Sequence, residues 1–113
     1  MMPGNYDMTL YRGDTRRFAF LLWQDADKTL PVDTTDATAA AQIRNAPGGA
    51  VLVNMACSIP SNGRVEIVLP ADQTAALAPR GVWDLQLTMS DGDITTVVTG
   101  RVCVVADVTA VPA

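Results

Sequence analysis

Apolar and polar residues alternate along the final third of the chain. In VWDLQLTM, residues 82–89, Trp83, Leu85, Leu87 and Met89 alternate with Asp84, Gln86, Thr88 and Ser90, which is the two-residue period of a strand with one buried face. Asp91 and Gly92 tolerate the positive φ of a tight turn. Beyond them Ile94, Thr96, Val98, Gly100, Val102 and Val104 fall on one face of a second strand. The pattern predicts a long hairpin over residues 82–105.

Upstream, RRFAFLLWQ is a nearly continuous apolar run, with Phe18, Phe20 and Leu22 on one face and Ala19, Leu21 and Trp23 on the other. A run of that kind predicts a central strand, covered on both faces or on one face plus an interface. The polar stretch from Gln24 to Asp36 carries Pro31 and several Asp and Thr residues that favour turns. ATAAAQIRN has alanine's helix preference, but its β-rich surroundings and the Pro47-Gly48-Gly49 turn assign it to a strand. AVLVNMACSI and GRVEIVL are strands divided by Pro60-Ser61-Asn62-Gly63. In PADQTAALAPRG, Pro70 suits an early helical position and Pro79 and Gly81 stop the helix, so two turns at most are expected. YDMTLYRG alternates Met8 and Leu10 against Thr9 and Tyr11 and makes a seventh strand.

Seven short strands at hairpin spacing and one short helix predict an all-β fold: an immunoglobulin-like β-sandwich of about seven antiparallel strands in one domain over residues 1–113, with short tails at both ends. The Cys and Trp spacing of antibody domains is absent. Phe18, Phe20, Trp23 and Trp83 are the large anchors of an otherwise aliphatic core, since aromatics make up only 5% of the chain. Cys57 and Cys103 show no disulfide framework and are expected reduced and buried.

Histidine is absent, which removes the commonest general base, triad base and metal ligand together. No catalytic residue, cofactor or metal site is expected: the cysteines lack zinc spacing, Asp91 and Asp93 lack the further oxygens of a calcium loop, and Asp72 and Asp84 have no partner acid. A net charge of −4 argues against nucleic acid, because the Arg12, Arg16 and Arg17 cluster has Asp7 and Asp14 beside it. No apolar run reaches membrane length, and MMPGNYDMTL lacks the regions of a secretory signal, so synthesis in a cytoplasm is expected. Arg12-Gly13-Asp14 spells the tripeptide that animal integrins read. It lies between two strands, where Gly13 can turn and Asp14 or Thr15 can bond nearby amides, so it reads as a structural turn.

The order of these pieces resembles small tailed-bacteriophage virion proteins and the N-terminal domains of phage baseplate proteins. The matching positions are Gly13, Asp14 and Thr15 before an apolar strand; Asp33, Thr35 and Ala37 leading to a strand that ends in Ile43 and Arg44; Thr74 to Leu77 in the short helix; and Gly81, Trp83, Asp84, Leu85, Asp91 and Gly92 in the final hairpin. The resemblance implies an immunoglobulin-like module that joins or decorates parts of a virion. It carries no enzymatic residue. The expected role is a tail or baseplate adaptor acting through contacts with other virion proteins, in several symmetric copies and with no small-molecule substrate. A neck, fibre-anchoring or capsid-decorating role is the alternative within that class. A carbohydrate- or cell-surface-binding module using Trp23 or Trp83 is the alternative outside it.

Because MMPGNY begins too apolar for a solvated tail, Met1, Met2 and Tyr6 are expected to meet a neighbouring subunit or to pack back on the sheet, and Tyr11 joins them as a candidate interface residue. Gly13, Asp14, Asp91 and Gly92 are the structural turn landmarks.

Overall fold

The computed structural model describes residues 4–24 and 27–106. Eight strands and one helix follow in the order β1 (Gly4–Asn5), β2 (Met8–Tyr11), β3 (Arg16–Leu21), β4 (Thr38–Arg44), β5 (Val51–Ser61), β6 (Arg64–Leu69), α1 (Ala71–Ala75), β7 (Arg80–Thr88) and β8 (Ile94–Val105). All seven strands predicted from periodicity are present, and the short helix lies where Pro70 and Pro79 bracket it. Only the two-residue β1 was not foreseen.

The strands form one curled open sheet in the order β1-β8-β7-β4-β5-β6-β3, with β2 also paired to β8. The long β5 belongs to both halves: Val53 and Met55 pair with β4, while Ala56 and Cys57 pair with β6. The curl brings the far end of the sheet back over the first half, so Phe20 of β3 lies 5.6 Å, ring centre to ring centre, from Trp83 of β7. The inward rows of both halves, among them Leu10, Ile43, Val65, Ile67 and Leu85, are buried in one core. Alternate burial along β6 and β7 is the physical counterpart of the two-residue period in their sequences.

Four expectations need correction. β1 and β2 run parallel to β8, so the strands are not all antiparallel. The apolar run of β3 is not central: β3 pairs only with β6 and ends the sheet, with Phe18 buried and Ala19 and Leu21 exposed on its other face. The face assigned to β8 does not run unbroken, because the register with β7 shifts after Leu85. Val97 is the extra residue. It and Val98 are both buried, while Ile94 is exposed, as a β-bulge requires. Finally, Cys103 is exposed and Cys57 half-buried, both as free thiols, with burial pushing the Cys57 thiol upward in pKa.

Candidate interface

The two ends of the sheet lie on the same side of the molecule and are built differently. At the β1/β2 end the strand breaks between Asn5 and Met8. Tyr6 N–H still reaches Thr99 O at 2.9 Å, but the Tyr6 carbonyl turns inward and accepts the Trp83 indole N–H at 2.7 Å. That inward turn passes directly over Gly100, where any Cβ would overlap the Tyr6 carbonyl oxygen. Asp7 then supplies what the broken ladder lacks: its Oδ1 accepts the Arg101 N–H at 2.9 Å. Pairing with β8 resumes at Met8.

The Tyr6 ring is 42% exposed, yet it stands edge-on to Phe18 at 6.0 Å and to Phe20 at 5.5 Å. It therefore packs back on the sheet, one of the two placements expected for it. Arg16 makes a second link across the gap, donating from Nη1 to Thr9 O at 2.9 Å with its guanidinium 5.0 Å above the Phe18 ring. Both contacts join β2 and its flank to β3 through side chains, with no backbone pairing between them. Tyr11, at the end of β2, is 48% exposed. Met1 and Met2 lie outside the described residues.

Gly13 and Asp14 form the turn that carries the chain from one sheet end to the other. Gly13 has φ 84°, the Asp14 N–H bonds Tyr11 O at 3.1 Å, and the Arg12 N–H bonds Val105 O at 3.0 Å. The turn is fastened by Thr74 of α1, whose buried hydroxyl accepts the Gly13 N–H at 3.1 Å and lies 2.8 Å from Asp14 O, to which it donates. Arg12 is half-buried and its Nε has no hydrogen-bond partner. This Arg-Gly-Asp is committed to internal contacts, in line with its reading as a turn. Asp91 and Gly92 form the exposed tip of the β7–β8 hairpin: Asp91 Oδ1 accepts the Asp93 N–H at 3.0 Å, and Gly92 has φ 93°. β8 runs from that tip to the Arg12 end, so the two pairs of turn landmarks sit at opposite ends of it.

A third turn closes the far side of β3. Asp33 Oδ1 accepts both the N–H and the hydroxyl of Thr35, at 3.0 and 2.7 Å, and these bonds hold its carboxyl below the ordinary value. The neighbouring Thr34 is buried, and its hydroxyl accepts the Gly63 N–H at 3.1 Å. Past β3, Leu22 O accepts the Val32 N–H and the Gln24 N–H reaches Leu30 O, so residues 22–24 and 30–32 pair as two short arms.

On the outer face of β4, β7 and β8 a shallow depression of about 390 Å³ is lined by Gln42, Arg44, Asp84 and Arg101. Arg44 donates to Gly49 O and to Gln42 Oε1, at 2.7 and 2.9 Å. These groups can hydrogen-bond a polar partner surface, and they contain no nucleophile beside a base. Trp83 faces the core at 2% exposure, so no flat aromatic platform is available from it. Among the described residues no three His, Cys, Asp or Glu side chains converge as metal ligands, and no helix is long and apolar enough to cross a membrane. Of the interface and landmark residues read from sequence, Tyr6 and Tyr11 share one sheet end. The contributions of Asp7, Gly100 and Thr34 were missed, because their partners lie 28 or more positions away. No protein-family model matches the chain, and no curated protein sequence is significantly similar to it.

Proposed function

We propose that the chain is a structural component of a tailed-bacteriophage particle, a tail or baseplate adaptor that works by protein–protein contact. It would be made in the bacterial cytoplasm and act in the virion, in several symmetric copies beside other virion proteins. The finer fold proposed with it is an immunoglobulin-like β-sandwich, one layer holding β8, β7, β4 and the first part of β5, the other holding the rest of β5, β6 and β3.

The observation that carries this reading is the way the resembling positions serve the fold. Gly13 and Asp14 make the turn between sheet ends, Thr74 locks that turn, Asp33 and Thr35 shape the approach to β4, and Trp83 anchors the core. All are scaffold roles, as expected of a module that joins other proteins. The burial of Trp83 removes one of the two tryptophans of the carbohydrate-binding alternative, and Trp23 is half-buried. No catalytic role is proposed, since the depression that holds Arg44 and Asp84 lacks a nucleophile–base pair.

Mass spectrometry and cryo-electron microscopy of purified particles test the proposal together. The expected result is the chain at fixed stoichiometry with its density at the tail or baseplate. Density at the neck, fibre base or capsid would move it to the alternative virion roles, and absence from purified particles would overturn the reading.

A further inference from the structure

Two exposed regions near opposite ends of β8 carry opposite charge. The first is the β7–β8 hairpin tip, where Asp91 and Asp93 are exposed beside Ile94, itself 66% exposed. The tip is ordered by its own bonds: the Met89 N–H reaches Asp93 O at 2.8 Å, the Gly92 N–H reaches Met89 O at 2.9 Å, and the Asp93 N–H reaches Asp91 Oδ1. Asp36 adds a third exposed carboxylate at this end, two residues before Thr38, the partner of Thr88. The second region is a shallow groove of about 460 Å³ on β2, β8 and β7. Thr9, Cys103 and Arg80 form one row across those strands, and Arg101 stands two residues from Cys103 on the same face. Arg80 and Arg101 are exposed, and among the described residues neither guanidinium has a hydrogen-bond or ion-pair partner. Asp7, the acid on this groove, has one carboxylate oxygen engaged by the Arg101 N–H. The face continues into the paired Tyr11 and Val105, 48% and 38% exposed.

We infer that the groove takes the β7–β8 hairpin tip of a second copy, with Asp91 and Asp93 meeting Arg80 and Arg101 while Ile94 lies against Tyr11 and Val105. β8 is 12 residues long, so at about 3.3 Å per residue it holds the two regions apart over most of the 44 Å length of the molecule. One copy therefore cannot bring its own tip to its own groove. A second copy is the occupant because each region is the complement of the other in charge and in exposed apolar surface. Contact between like regions is disfavoured, since tip on tip sets carboxylate against carboxylate and groove on groove sets arginine against arginine. Tyrosine and arginine are enriched at protein interfaces, and a tip already ordered by its own bonds loses little freedom on docking. The contact is heterologous: each copy offers one tip and one groove, and successive copies build a ring or an open string.

The inference is independent of the virion reading, since it concerns the isolated chain in solution. Sedimentation velocity and amide chemical shifts across concentration and salt series provide the test. The expected result is reversible association that weakens about tenfold or more between about 0.05 and 0.5 M NaCl, with concentration-dependent shifts at Asp93, Ile94, Arg101 and Val105. Arg80→Glu with Arg101→Glu makes the groove acidic, and Asp36→Lys with Asp93→Lys makes the tip basic while sparing the Asp91 bond. Each pair of substitutions should abolish self-association with unchanged circular dichroism, because all four side chains are exposed. An equimolar mixture of the two variants should associate again, because the unaltered tip of the first meets the unaltered groove of the second. A wild-type chain that stays monomeric up to about 1 mM, shifts confined to other residues, association that neither variant reduces, or a mixture that fails to associate would overturn the inference.

Discussion

The two ends of this sheet solve the same problem in opposite ways. β1 and β2 are short, broken at Asp7, and stitched to β8 by one side-chain carboxylate and to Trp83 of β7 by one inward carbonyl. β3 is continuous and regular, apolar beyond Arg16 and Arg17, with one row of backbone donors and acceptors that no described strand takes up. A strand interrupted every few residues is a poor template for another chain, whereas an uninterrupted one is a ready template. One end is therefore held by contacts within the chain, whereas the other leaves its outward backbone row without a described strand.

The largest loss is expected at Gly100. Gly100→Val inserts side-chain atoms where the Tyr6 carbonyl passes, so β1 must leave β8 and the Trp83 indole must lose its acceptor. A loss of about 3 kcal/mol is expected from such overpacking, read by urea denaturation. Thr74→Val keeps the shape of a buried side chain but leaves the Gly13 N–H without its acceptor. It should cost about 2 kcal/mol and loosen the turn that joins the two ends, visible as faster amide exchange at Gly13. Asp7→Ala removes the acceptor for Arg101 at the break itself, with a smaller loss of about 1 kcal/mol and exposure of the Arg101 amide to exchange.

At the other end the same measurements should barely move. Ala19→Arg lies on an exposed face opposite Glu66 of β6, so its free energy of unfolding should stay within about 0.5 kcal/mol of wild type. A large stability loss there would mean that β3 is already covered, and the contrast between the ends would fail. The least effect is expected from the turn beyond β3. Because both Thr35 bonds favour the ionised carboxyl, Asp33 should titrate by NMR below 3.8. Its stabilising contribution is then present at neutral pH and is lost as pH falls through that lowered value. Thr35→Val should return the titration toward the ordinary range.

Much of the fold was legible because each strand's burial is written locally. Trp83, Leu85 and Leu87 alternate with polar residues and are buried alternately; Asp91 and Gly92 mark a turn and form one. The placement of Tyr6 against the sheet was half legible, from an N-terminus too apolar for a free tail. The central position assigned to β3 was wrong for an instructive reason: RRFAFLL has apolar residues on both faces, and composition cannot distinguish a second buried face from an exposed one awaiting a partner. Val97 was missed likewise, since a bulge in a run of Thr and Val leaves no compositional mark.

The sequence by itself determined the β-rich class, the sites of the turns, the short helix and the lack of a histidine-based chemistry, because periodicity, turn residues and residue inventory are local properties. Tertiary structure alone decided that β1 and β2 run parallel to β8, that Asp7 and Gly100 meet across the break, that Thr74 locks the Gly13 turn, and that β3 ends the sheet. Each of these depends on which strand lies beside which, and pairing is set by the packing of distant residues into one shared core.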